Sequence, residues 1–424
     1  MLIKNGRVID PANGLDLTAD VKIADGKIAG IGHYEPEPEE QVIDAEHMIV
    51  APGLVDVHVH FRDPGQTHKE DITTGAASAA AGGFTTVVCM ANTVPPIDSA
   101  ETLSELRSRE ASLPIHVLNT ATVSKGMKGQ ELTDMDALRK AGAVGFTDDG
   151  KPFMNAALTE EAMRKVSALN VPISFHEEDP CFIKSPGVNM GKVSEQIGVG
   201  GAPAIAEYSL TARDCALAIN TGAKIDIQHV SSAVTVDIIR AMKTLCPTIY
   251  AEVTPQHFSL TEDIVLEKGT LARVNPPIRT EADREALIRG LQDDTIDLIV
   301  TDHAPHAREE KEKDMLHAPS GMIGLETSLA LAVTNLVKTG KLTMNHVLSK
   351  MTVKPSELYG LDCGTLGIGR NADVVIFDPN EKWTVPDHFY SKSSNSPFIG
   401  MTLEGRVQAT ISEGKIVYLK GERK

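Results

Sequence analysis

The sequence has few cysteines, no long apolar run and no excess of positive charge, and each shortage removes a class of protein. Its five cysteines, Cys89, Cys181, Cys215, Cys246 and Cys363, are scattered, odd in number and form no CxxC pair. That argues against a disulfide framework and fits a reducing, cytoplasmic setting. No stretch approaches the roughly 18 apolar residues of a membrane span. The opening MLIKNGRVIDPANG lacks the apolar core of a signal peptide. Lysine and arginine number 41 against 58 aspartates and glutamates, a formal net charge of -17. Such a surface disfavours a phosphate backbone or an anionic membrane as partner, so neither nucleic acid nor membrane binding is expected. It leaves room for an anionic substrate, which needs only a local positive pocket. No solenoid repeat and no low-complexity segment is present.

What remains is an ordinary globular composition, 42% hydrophobic and 23% charged, over 424 residues. The length exceeds one typical domain but suits a (β/α)8 barrel with additions. The first fifty residues read as short strands, LIKNGRVI, DVKIADGKIAGI and QVIDAEHMIV, with a hairpin turn at Asp25-Gly26. The last sixty read alike, as ADVVIFD, KWTV and RVQATISEGKIVYL, with a second turn at Glu413-Gly414. The middle alternates. Eight short apolar runs, 54–58, 84–89, 115–120, 143–146, 172–175, 225–227, 248–253 and 297–300, are separated by helical patterns such as 71–81, 100–111, 204–220, 234–243 and 281–292. Buried runs alternating with helices imply βαβ units, and eight of them favour a closed barrel over an open sheet. The expected organisation is α/β. A TIM-type (β/α)8 barrel spans 51–362, and a small β-sandwich is built from 1–50 and 363–424.

The strongest local signal is Asp56-Val57-His58-Val59-His60 at the end of the first barrel run. Strand side chains alternate with a period of two, so His58 and His60 share a side and can share a metal. Further ligand-type residues follow other runs: Asp148 and Asp149 in GFTDDG, His176 in PISFHEED, His229 in KIDIQHV and Asp302 in DLIVTDHAPH. The C-terminal strand ends of a barrel converge on one face, which carries the active site. Histidines and carboxylates without cysteine suit zinc or a related divalent ion in a hydrolytic site. Four histidines and two carboxylates exceed the needs of one catalytic zinc, and point to two metals with a shared ligand and hydroxide.

These residues also carry a resemblance. APGLVDVHVHFRDPG resembles the first-strand signature of the amidohydrolase superfamily, and its HxHxRxPG form is closer to the dihydroorotases. MANTVPP, GFTDDG, SFHEED, IQHVSS, ARVNPPIR and TDHAPH are similar to the matching segments of bacterial type I dihydroorotases, across nearly the whole chain. The resemblance implies zinc, two ions per subunit, with His58, His60 and Asp302 at one and His176 and His229 at the other. Asp149 and a hydroxide would bridge them, and Asp148 would be structural. Many other cyclic amidohydrolases bridge with a carboxylated lysine, and Lys151 is read as an ordinary loop residue. The resemblance further implies substrate contacts from His60, Arg62, Asn92, Asn275 and His306. It also implies a backbone contact at Ser320 and Gly321, where the family's Pro-Phe-Gly appears as Pro319-Ser320-Gly321. His303 and His257 are read as supporting residues, and the charged 306–320 loop either as solvated or as a lid.

The implied reaction is the reversible cyclisation of N-carbamoyl-L-aspartate to L-dihydroorotate in pyrimidine (UMP) synthesis, with Asp302 moving the proton. Alternatives are a hydantoinase or allantoinase, and a silent homologue serving as assembly partner of aspartate carbamoyltransferase. A homodimer, or association of an active enzyme with that transferase, is compatible with the same sequence.

Overall fold

The computed structural model describes residues 1–422. Sixteen strands form two bodies of sheet. The first holds β1 (Leu2–Asp10), β2 (Leu15–Ala24), β3 (Lys27–Gly32), β4 (Val42–Asp44) and β5 (Ile49–Pro52). They are joined by β14 (Val374–Thr384), β15 (Thr402–Ser412) and β16 (Lys415–Leu419). The strand order is β16-β15-β14-β5-β1-β2-β3, with β4 beside β1. The two ends of the chain meet where β14 runs antiparallel to β5. QVIDAEHMIV is two strands rather than one, because Ala45–Met48 turns between β4 and β5, both parallel to β1. Conversely, VVIFD and KWT are one strand, its register against β15 shifting between Ile376 and Phe377 and again between Asp378 and Lys382. Asp25-Gly26 and Glu413-Gly414 all have positive φ, as tight hairpin turns require. The two turns touch: a side chain added at Gly414 would meet the Gly26 Cα at 2.9 Å. The sheet thus curls around Ile3, Val8, Val21, Ile28, Val374 and Ile411, all fully buried.

The second body is the barrel. Its strands are β6 (Leu54–Val59), β7 (Phe84–Cys89), β8 (His116–Asn119), β9 (Phe146–Thr147), β10 (Ile173–Phe175), β11 (Ile225–Ile227), β12 (Ile249–Val253) and β13 (Leu298–Ile299). Each pairs in parallel with its neighbour, except at two seams where regular pairing gives way to single bridges. At one, Ala121 N donates to Gly145 O and Thr147 N to Ala121 O, joining β8 to β9. At the other, His60 N donates to His303 O at 2.9 Å, joining β6 to β13 and closing the ring. Several of the helices between strands begin at side-chain caps. Asp71 accepts from the backbone of Thr73 and Thr74, so the first helix starts at Ile72; Thr280 and Asp283 form a reciprocal capping box for Glu281–Gln292. No helix among the described residues is long and apolar enough to cross a membrane.

Candidate metal centre and substrate rim

The ends of β6, β9, β10, β11 and β13 deliver ligand-type side chains to one place. His58 is the penultimate residue of β6 and His60 the first beyond it; their ring centroids lie 5.5 Å apart. His176 follows β10, His229 lies two residues beyond β11, and Asp302 three beyond β13. Asp149 is the hub of the group. Its Oδ1 lies 3.5 Å from His58 Nε2 and 3.7 Å from both His176 Nδ1 and His229 Nε2, while Oδ2 lies 3.4 Å from His60 Nε2. Asp302 Oδ1 is 3.0 Å from His60 Nε2 and 3.6 Å from His58 Nε2. Asp148, its neighbour in sequence, accepts from the backbone of Val123 and Ser124 and from the Ser124 hydroxyl, outside this cluster.

The donor set fits metal binding. Two overlapping groups, His58–His60–Asp302 and His58–Asp149–His229, each bring ligand atoms within 4.8 Å of one another. His58 Nε2, His229 Nδ1 and Asp149 Oδ1 are buried yet have no hydrogen-bond partner. Such unpaired buried groups are costly unless something else satisfies them. Burial opposes charge on His176, but Asp149 and Glu178 overcome it and raise its pKa to about 10. Burial likewise opposes ionisation of Asp149, and the imidazoles of His58, His176 and His229 hold it well below the usual carboxylate range. This balance of negative oxygen against crowded imidazoles is what a divalent cation exploits when it displaces their protons.

Further residues hold the ligand rings, and they escape a search by motif. Glu252 on β12 accepts from His58 Nδ1 and from His229 N. Glu178 accepts from His176 Nε2 at 3.1 Å. Asn92 Oδ1 lies 2.9 Å from His60 Nδ1, a contact that turns Nε2 toward Asp149 and Asp302 as a candidate ligand atom. Glu207 accepts from Ser231 N and Ser232 N, and Arg279 packs against it at 3.6 Å. That buried pair braces the turn in which His229 adopts φ +37°. Arg62 (φ +58°) and Asp302 (φ +47°) are also held in the left-handed region, a strain of ~1–3 kcal/mol each that surrounding contacts must sustain. A lone Glu inside an apolar strand (YAEV) and a carboxylate two residues past a ligand (HEE) were the available signals for Glu252 and Glu178.

The residues expected to face the substrate form a rim beside this cluster. Arg62 Nε donates to Pro305 O at 3.1 Å, and its guanidinium makes no ion pair with any carboxylate among the described residues. His306 Nε2 lies 3.4 Å from Arg62 Nη2 and donates to Ser320 O at 2.9 Å. Burial, then Arg62, Lys69 and Lys311, depress the His306 pKa to about 2, so it is a neutral donor at working pH. Ser320 Oγ donates to Asn275 Oδ1 at 3.0 Å, leaving the Asn275 amide N–H groups free. Asn92 is more committed, since its amide donates to Asp149. Gly321 has φ +133°, and a side chain there would meet His306 Nε2 at 3.0 Å. Lys151 is exposed and reaches only Met127 O. His303 points away, to Glu70, and His257 is buried against Thr254 and Pro276. The 306–320 loop is anchored at its base by Lys311, while 312–314 and 316–317 are exposed.

A family model described as dihydro-orotase-like matches residues 47–234. The chain is 54% identical over 419 residues to a dihydroorotase of Clostridioides difficile, covering 99% of each sequence. It is 53% identical over 420 residues to that of Clostridium acetobutylicum, again covering 99% of each. Among solved structures, an L-hydantoinase (dihydropyrimidinase) from Arthrobacter aurescens superposes with a TM-score of 0.89 at 28% identity, over 100% of this chain and 97% of that one. A D-hydantoinase at 22% identity and a TM-score of 0.86 shares the fold, the amidohydrolase barrel with its β-sandwich. Identity above one half, sustained end to end with curated relatives of one name, means that the chain belongs to the dihydroorotase family.

Proposed function

We propose that this protein interconverts L-dihydroorotate and N-carbamoyl-L-aspartate, using two zinc ions held by His58, His60, Asp149, His176, His229 and Asp302. The observation that carries the reading is Asp149, an aspartate at the hub of four imidazoles with the unpaired Arg62 guanidinium close by. Histidine and carboxylate donors without thiolate favour zinc among common hydrolytic metals. When bound, such ions supply a water of strongly lowered pKa and polarise the scissile carbonyl. The chain's own groups do the rest. Arg62 offers a planar fork to the substrate carboxylate. Asn275, with its N–H groups free, donates to a ring oxygen, while neutral His306, its one N–H given to Ser320 O, holds that backbone beside the substrate. The amide N–H of Ser320 has no partner among the described residues and is offered to the substrate. Asp302 takes the proton of the attacking water on its carboxylate and returns it to the leaving ring nitrogen. Orientation by the rim supplies much of the rate. The five free thiols support work in a reducing cytoplasm.

A hydantoinase reading draws on the barrel's likeness to L-hydantoinase. The separating experiment is turnover of L-dihydroorotate, hydantoins and allantoin side by side on metal-analysed protein. L-dihydroorotate should be preferred by orders of magnitude, and Asp302→Asn should abolish turnover while metal is retained. Preference for a hydantoin, or near-normal turnover by the variant, defeats the proposal.

A further inference from the structure

The tripeptide Pro319-Ser320-Gly321 is held by side chains from distant parts of the chain. Lys311 Nζ donates to Pro319 O at 2.9 Å and to Gly321 O at 3.0 Å. Asn395 Nδ2 donates to Gly321 O and to Ala304 O, both at 3.1 Å, while its Oδ1 accepts from His306 N at 3.1 Å. His306 Nε2 donates to Ser320 O, and Gly321 N donates to Arg273 O at 2.9 Å. Every carbonyl of the tripeptide is therefore engaged. Proline has no N–H, so the Ser320 N–H is the one backbone donor of the tripeptide without a partner among the described residues.

Lys311 and Asn395 are 4% and 3% exposed. Lys311 makes no ion pair among the described residues, so its amine is buried against carbonyls alone, and burial with Arg273 nearby brings its pKa to about 7. A methionine would fill that space without the desolvation cost. Asn395 belongs to the connection between β14 and β15, outside the barrel, and its single carboxamide joins the segment carrying His306 to the segment carrying Ser320. Both residues thus spend buried polar groups on fixing one stretch of backbone at the substrate rim.

We propose that Lys311 and Asn395 are positioning residues that clamp Pro319–Gly321, so that the Ser320 N–H and the His306 ring are presented to the substrate. The clamp's role in substrate binding rests on the dihydroorotase activity proposed above. The test combines amide exchange of the 318–322 region with steady-state kinetics on L-dihydroorotate. The proteins are metal-loaded wild type, Lys311→Met, Asn395→Ala and Asn395→Asp. The aspartate keeps the acceptor for His306 N and removes both donors, a small change that keeps the test alive if a larger one misfolds. Each variant should exchange the Gly321 amide roughly five- to tenfold faster, and raise KM by a similar factor, for the hydrogen bonds lost. Metal content and kcat should stay near wild type. The double variant Lys311→Met/Asn395→Ala should fall short of the product of the single effects, because both hold Gly321 O. Unchanged exchange overturns the clamp, and so does a fall in kcat with KM unmoved, the mark of general damage. If wild-type protein does not turn over L-dihydroorotate, the activity fails separately and the exchange data still decide the clamp.

Discussion

Glu110, the last residue of the helix Ala100–Glu110, is 6% exposed and carries a proton that the fold should not be able to give up cheaply. Its Oε2 accepts from Asn119 Nδ2 at 2.7 Å, but its Oε1 and Asn119 Oδ1 are both buried without partners. Burial raises its pKa from 4.5 to about 7, against the opposing pull of Asn119 and the nearby Arg107 and Arg109. The sign follows from linkage. The unfolded chain releases this proton near pH 4.5 and the folded one near 7, so stability falls as pH rises between these values and is flat above. The loss is at most ~3 kcal/mol, from about 1.4 kcal/mol per pKa unit. Glu110→Gln keeps the shape, cannot ionise, and supplies N–H groups where the acid had an unpaired oxygen. At pH 8 the variant should be the more stable by up to that amount; near pH 4.5 the two should coincide. For 424 residues at about 2.1 cal/mol/K each, ~3 kcal/mol corresponds to ~3 °C in Tm. Calorimetric scans of both proteins from pH 4.5 to 8 measure the gap. An offset independent of pH, or a variant less stable at pH 8, refutes the assignment of a buried neutral acid. The site has a stake in this. Arg109 on the same helix end pairs with Asp63, next to Arg62.

Two further outcomes are expected. Ser320→Ala removes the hydroxyl that fixes the Asn275 carboxamide, so KM for L-dihydroorotate should rise roughly three- to tenfold, the equivalent of one hydrogen bond, with metal content unchanged; an unaltered KM would show that Asn275 needs no such support. Stripping the protein with a chelator should lower Tm, since His58 Nε2 and Asp149 Oδ1 lose their proposed partner. Zinc at a thousandfold over its Kd should restore ~4 kcal/mol, and a Tm indifferent to metal would count against the centre.

The barrel was legible because its strands are short apolar runs between capped helices, and all eight predicted runs contain or overlap the observed strands. The histidines and carboxylates gathered at the candidate centre were legible as a group because side chains that meet on one face of a barrel must follow strand ends. The boundary inside QVIDAEHMIV was not legible, since a tight turn at Ala45–Met48 leaves no glycine or proline as a signal. The choice between Asp148 and Asp149 rested on resemblance in the sequence and is a matter of geometry in the fold. One carboxylate faces backbone donors of the neighbouring loop, and the other faces four imidazoles. Glu252 left only the trace of a lone acid in an apolar strand, and Lys311 and Asn395 left none. Their partners lie 194, 10 and 74 residues away, and nothing local in SNSPF or REEKEK says which backbone they will meet.

That distribution has a physical cause. Ligands are chosen by side-chain chemistry at positions the barrel itself dictates, so their types and spacing survive as pattern. The groups that hold them are chosen by what lies opposite in three dimensions, and a single Asn or Lys suffices. His229, Arg62 and Asp302 show the consequence, for each has a left-handed backbone that an isolated strand end would not keep. The buried Glu207–Arg279 pair at one turn, and the Asp56 carboxylate accepting Thr301 N beside another, are what keep it there. Destabilising those supports should therefore disturb ligand geometry before it unfolds the barrel, because the strain is local and the eight-stranded ring is not.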